Sequence, residues 1–175
     1  DILVGAPYDG NASFLDSDEG AFYIIYGQSD LKINTYDGGD LYDSDDYGVS
    51  IQLSSVFSSN PDSEMGDSVA VGDFNGDGID DIAVSSNEAG INEGNEGIVT
   101  IYLGQNFGDP QEAVLINGKD SASYMGYRQG SLQNLGDING DGFDDLGIRD
   151  YDDNFFIVWG RSSWTADYDL NGDFI

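Results

Sequence analysis

The sequence predicts an all-β chain built from repeated four-stranded antiparallel sheets, and three observations point there. Glycine supplies 25 of the 175 residues, which suits many turns between short strands. An eleven-residue acidic segment occurs twice without gaps, and short β-branched and aromatic runs closed by glycine follow it. No stretch shows a capped 3.6-residue apolar period, so almost no helix is expected.

The repeated segment reads Gly72-Asp-Phe-Asn-Gly-Asp-Gly-Ile-Asp-Asp-Ile82 and Gly136-Asp-Ile-Asn-Gly-Asp-Gly-Phe-Asp-Asp-Leu146, with Asn75 and Asn139 64 residues apart. Strands are predicted to enter at Ser68–Gly72 and Ser131–Gly136, and to leave at Asp81–Ser85 and Asp145–Arg149. The opening residues, Asp1–Pro7, match the leaving strand. A third strand is predicted at Ala21–Gly27, Ile98–Gly104 and Phe155–Gly160, where aromatic and β-branched residues favour a buried pleat. Weaker runs, Val49–Leu53 and Ala113–Ile116, supply a further strand per unit. The acidic stretch from Gln28 to Glu64 reads as strands joined by extended loops.

Four strands in about 60 residues make one blade of a β-propeller. The repeat units fall at 1–64, 65–124 and 125–175, all within a single piece of such a propeller. Closed propellers typically have about four to eight blades. The chain opens inside a motif, so it is expected to be a fragment, or else further copies or other chains complete the ring.

Charge narrows the function. The chain carries 34 acids against 5 Lys and Arg, a formal net charge of -29, and only six of the acids are Glu. Asp favours turns, caps and hard-cation loops, whereas a helical acidic surface would favour Glu. Nucleic acid and anionic membrane surfaces are disfavoured partners for this field. Without Cys there is no disulfide framework or thiolate site. Without His the commonest general base and the usual zinc ligand are missing. No run reaches the roughly 18 apolar residues that span a bilayer.

In the first acidic loop Asp73, Asn75, Asp77 and Asp81 stand at positions 1, 3, 5 and 9, and Ile79 at position 7 offers its carbonyl. The second supplies Asp137, Asn139, Asp141, the Phe143 carbonyl and Asp145. In such tight loops alternate side chains turn toward a common centre. Glycines at positions 4 and 6 permit the left-handed backbone of the reversal. All donors are oxygen, which suits Ca²⁺ better than the strict octahedron of Mg²⁺. Three carboxylates about 5 Å apart at an effective dielectric near 20 repel by roughly 3 kcal/mol per pair. Calcium should therefore couple to local folding. Single open sites of this kind suit extracellular calcium, with affinities on the order of 10⁻⁴ to 10⁻³ M. A third, truncated version is Asp169, Asn171 and Asp173, where Phe174 replaces the second glycine.

The same residues bear on two other readings of the loops. A twelve-residue calcium loop of the EF-hand kind needs an acid at its last position, and Val84 and Ile148 stand there instead. Asn75-Gly76 and Asn139-Gly140 also suit simple hairpin turns with solvated acids nearby. Two near-identical loops at blade spacing favour metal. The clusters Asp16–Glu19, Asp43–Asp46 and Asp150–Asp153 lack the alternating spacing and read as solvated loop faces.

The run Met65-Gly-Asp-Ser-Val-Ala-Val-Gly-Asp-Phe-Asn-Gly-Asp-Gly-Ile-Asp-Asp-Ile-Ala-Val84 closely resembles the FG-GAP repeat of integrin α-subunit heads. Met65-Gly66 takes the place of its Phe-Gly, and Val4-Gly-Ala-Pro7 matches its Gly-Ala-Pro. The resemblance implies a seven-bladed propeller with calcium on the lower face of its blades. It also implies extracellular recognition of protein or glycan ligands in adhesion. Ser85-Ser86, Leu146–Arg149 and Tyr124-Met-Gly126 depart from the family pattern beside the loops and leave the ligand positions intact.

Three function classes follow. In a binding module, the loops Ser86–Gly97 and Tyr8–Gly20 would carry recognition, with exposed rings among Tyr36, Tyr42, Tyr124, Tyr127 and Trp164 stacking on sugars. An enzyme, such as the propeller of a polysaccharide-degrading protein, would need a base and a charge stabiliser. Only Lys32, Lys119, Arg128, Arg149 and Arg161 are cationic and no spacing marks a catalytic group, so no enzyme is expected. A structural subunit of a surface layer or filament would pair its sheet edges with neighbouring chains.

Overall fold

The structure, a computed structural model, describes residues 2–8, 20–25, 53–57, 63–90, 94–105, 111–118, 123–164 and 168–169. These form three sheets, with no helix among the described residues. The first holds β1 (Ile2–Ala6), β2 (Ala21–Ile25) and β3 (Leu53–Phe57) in that order, all antiparallel. The second holds β4 (Met65–Gly72), β5 (Asp81–Ser86), β6 (Ile98–Leu103) and β7 (Gln111–Asn117) as an antiparallel meander. The third holds β8 (Leu132–Gly136), β9 (Asp145–Arg149) and β10 (Phe155–Val158). A two-residue strand, β11 (Tyr168–Asp169), joins the β7 edge in parallel.

The strands expected on either side of both acidic loops are present, as β4 and β5, and as β8 and β9. Among the described residues the next strand after β2 spans Leu53–Phe57, which meets the anticipated Val49–Leu53 run at Leu53; residues 49–52 lie outside the described residues. Tyr36, Tyr42 and loop residues 9–19 also lie outside them.

The middle sheet is buried on both faces, and β5 shows why its sequence is almost continuously apolar. Alternate side chains of a strand point to opposite faces. Ile82 and Val84 therefore join Phe22, Ile24, Met65 and Tyr102 in a core shared with the first sheet. Ala83 faces the other way, into a core with Val99, Ile101, Met125, Leu132, Leu146 and Ile148, shared with the third sheet. At about 25 cal/mol per Å² of apolar surface removed from water, these two clusters are the main drive for stacking the sheets.

Small residues set how closely the sheets approach. A side-chain carbon at Gly5 of β1 would stand 2.1 Å from the carbonyl oxygen of Gly66, so the two backbones touch there. Gly66 also has φ +96°, a left-handed conformation that favours glycine. One unit later the same step pairs Ser85 with Gly126, whose hypothetical Cβ would lie 2.4 Å from that of Ser85. Ser85, where the family pattern has Gly, is put to use. Its Oγ accepts the Ser68 N–H at 2.8 Å and donates to the Ser68 carbonyl at 3.2 Å. The Oγ of Ser68 in turn accepts the Leu132 N–H at 3.0 Å, tying β4 to β8.

Candidate metal centre

The two acidic loops occupy the same corner of adjoining sheets, β4 to β5 and β8 to β9, and their internal bonding is nearly duplicated. Asp73 folds back over its own loop: Oδ1 accepts the N–H groups of Gly76 (2.8 Å) and Asp77 (3.0 Å), and Oδ2 that of Gly78 (2.9 Å). Asp137 does the same with Gly140, Asp141 and Gly142 at 2.7, 3.0 and 2.9 Å. Asn75 Oδ1 accepts from Asp77 N at 2.8 Å, and Asn139 Oδ1 from Asp141 N at 2.9 Å. Asp77 and Asp141 each accept the N–H of position 7, Ile79 or Phe143. Gly76, Gly78, Gly140 and Gly142 all take positive φ, which lets consecutive amides point inward.

The ninth position anchors each loop to the sheet. Asp81 and Asp145 are fully buried. Asp81 accepts from Gly104 N at 2.9 Å and Asn75 N at 3.1 Å. Asp145 accepts from Gly160 N at 3.0 Å and Ile138 N at 3.1 Å. Gly104 and Gly160 are the glycines that close the third strand of each unit, so that sequence landmark has a structural cause. Burial pushes the Asp81 carboxyl up to about 6; the Gly104 and Asn75 N–H bonds oppose this, and the charges of Asp77 and Asp73 add to it. The Asp77 and Asp73 carboxylates thus lie close enough to disfavour ionisation of Asp81.

That mutual repulsion, with an all-oxygen donor set, fits a hard cation. The carboxylates are at present turned to backbone amides, and no cluster of three or more acidic, His or Cys side chains is drawn into metal-holding geometry among the described residues. Asp169, the start of the third candidate loop, lies in β11 opposite Asn117, while Asn171 and Asp173 fall outside the described residues.

The alternating ligand spacing of the sequence does not single out Asp144. Its Oδ2 accepts from Asp73 N at 3.1 Å, in the neighbouring loop, and from Asn134 Nδ2 at 2.8 Å. The doubled Asp at positions 8 and 9 of both loops was the available signal. Among the aromatics, Tyr124, Tyr127 and Tyr151 form a triad with ring centroids 5.3 to 6.2 Å apart. Trp164 packs against the larger core with Arg161 over its ring.

A strand–acidic loop–strand unit, repeated on stacked antiparallel sheets, defines a repeat-built, blade-like class of β protein. Residues 65–102 match the family model described as FG-GAP repeat. It is 40% identical to integrin alpha-V of Gallus gallus over 87 residues, covering 50% of this chain and 7% of the relative. It is 37% identical to integrin alpha-5 of Xenopus laevis over 103 residues, covering 58% of this chain and 9% of that one. The matched region thus spans less than a tenth of either relative's length.

Proposed function

We propose that the chain is part of a calcium-braced, integrin-like β-propeller that recognises protein or glycan ligands outside the cell. The observation that carries this reading is the pair of duplicated nine-residue loops, set at the same corner of adjoining sheets within a chain whose residues 65–102 match the FG-GAP repeat. Asp73, Asn75, Asp77, Asp81 and the Ile79 carbonyl would hold one Ca²⁺. Asp137, Asn139, Asp141, Asp145 and the Phe143 carbonyl would hold a second. The ion would neutralise carboxylates that now repel and would brace the corner between two strands of a blade.

Further blades, in a ring of seven as the integrin resemblance implies, would extend the array. In support, Ile2 and Val4 stand exposed on the outer face of β1. Their counterparts Ile82 and Val84, and Leu146 and Ile148, are each buried against the preceding sheet. The deciding experiment is calorimetric calcium titration, paired with thermal unfolding in calcium and in chelator. Uptake of two or more ions with a large loss of stability in chelator supports the reading. No uptake at millimolar calcium with unchanged melting reduces the loops to turns. Self-association that depends on calcium would instead favour a filament or surface-layer subunit.

A further inference from the structure

The two loops are not independent. Asp73 and Asp144 exchange hydrogen bonds between neighbouring sheets: Asp144 N donates to the Asp73 carbonyl at 3.0 Å, and Asp73 N donates to Asp144 Oδ2 at 3.1 Å. Asn134 fixes the same carboxylate oxygen from β8. The space for this exchange is kept open by Gly72, where a Cβ would stand 2.5 Å from Asn134 Nδ2 and 3.0 Å from Asp144 Oδ2. A Cβ on Gly76 would sit 2.7 Å from the Phe143 ring. Arg161 N donates to the Phe74 carbonyl at 2.9 Å, closing the same contact from the far side.

Asp73 is position 1 of the first loop. Asp144 lies between position 7 of the second loop, Phe143, and position 9, Asp145. We infer that Asp144 is a positioning residue that couples the two loops, so that ordering one by a divalent cation orders the other. The inference rests on the calcium reading of these loops and goes beyond it, because it makes two sites one linked device. Coupling of this kind is reciprocal: whatever the first ion does for the second, the second does for the first.

The chain holds its own control. Asp80 is the same position of the first loop, yet it is exposed and its carboxylate makes no hydrogen bond among the described residues. Removing Asp144 should therefore alter the neighbouring loop, and removing Asp80 should not.

The test uses the full 175-residue chain, with Asp141→Ala to disable the second loop's own ion. Losing that ion should itself reduce calcium protection of the first loop while Asp144 is present, and not once Asp144→Ala is added. The Asp144 variants are then compared in the Asp141→Ala background. Calcium affinity of the first loop is measured by calorimetry. Hydrogen exchange of the Gly76, Asp77 and Gly78 amides is followed in calcium and in chelator. Asp144→Ala should weaken the first loop roughly fivefold, the size expected for losing one inter-loop hydrogen bond, and should speed exchange of its amides. Asp144→Asn, which retains an acceptor oxygen for the Asp73 N–H, should restore most of the affinity. Asp80→Ala should change neither quantity. A merely local role for Asp144 would leave the first loop's affinity and exchange untouched, and that result overturns the inference. If the wild-type chain takes up no calcium, the metal reading fails on its own, and the chelator arm still decides the link: unchanged protection of Gly76–Gly78 in Asp144→Ala overturns it.

Discussion

The backbone N–H of Gly104 donates to Oδ1 of the buried Asp81 at 2.9 Å, joining the end of the third strand of a blade to the last position of its acidic loop. The same glycine lies against the loop backbone: a Cβ there would stand 2.2 Å from the Asp80 carbonyl oxygen, and one on Gly160 would stand 2.3 Å from that of Asp144. Gly104→Ala and Gly160→Ala should each force the loop outward and destabilise the fold by about 1–3 kcal/mol. Urea unfolding should show a lower midpoint with an unchanged slope. An undiminished midpoint in both variants would mean the strand end yields without disturbing the loop.

How far this corner was legible from sequence depends on what kind of signal each residue sends. Alternation, turn glycines and the repeated Asp spacing report on single strands and single loops. They located β1, β2, β4, β5, β6, β8, β9 and β10 to within a few residues. Asp81 and Asp145 stood out because acids at loop positions recur. Asp144 did not, because its partner Asp73 is 71 residues away and belongs to another sheet. Likewise Ser85 reads locally as a lapse from the Gly-Ala pattern, and only the stacking of β4, β5 and β8 shows its hydroxyl bonded to Ser68. The parallel pairing of β11 with β7 had no local signature at all.

The Ser68–Ser85 link makes its own prediction. Ser85→Ala removes the acceptor of the buried Ser68 N–H, and Ser68→Ala removes the acceptor of the Leu132 N–H. Leaving a buried amide unsatisfied costs about 1–3 kcal/mol. Each variant should lose stability in that range. Because the two hydroxyls sit in one chain of bonds, the double variant should depart from additivity by at least about 0.5 kcal/mol. Strict additivity would show that the two residues act separately.

Acid should stabilise the metal-free protein at Asp81. Its carboxyl is raised from 3.8 to about 6 in the fold, by burial first and by Asp77 and Asp73 further. Between those values the folded chain holds more protons than the unfolded chain at this position, so the contribution of Asp81 falls as pH rises. The penalty is absent below the lower value and complete above the upper one. In chelator, unfolding free energies of wild type and Asp81→Asn should differ in slope across pH 4 to 6 and run parallel above it. The remaining acids titrate in both proteins, so the comparison isolates this group. Parallel curves throughout that window would mean the Asp81 carboxyl is not raised.

The third sheet offers a test of what covers its two faces. Ile148 is fully buried toward the middle sheet, while Phe155 is 55% exposed, its ring lying against the face of Gly147. Ile148→Ala should cost about 2–5 kcal/mol, the range for a truncated core aliphatic that leaves a cavity. Phe155→Ala removes a larger side chain, yet should cost under about 1.5 kcal/mol because much of the ring already meets water. Chemical denaturation at several protein concentrations measures both. A Phe155→Ala loss as large as that of Ile148→Ala, growing with protein concentration, would show that another copy of the chain seats on this face in solution. A small, concentration-independent loss would show that the 175-residue chain leaves it open, and that stacking on the middle sheet alone is enough to hold β8, β9 and β10 in place.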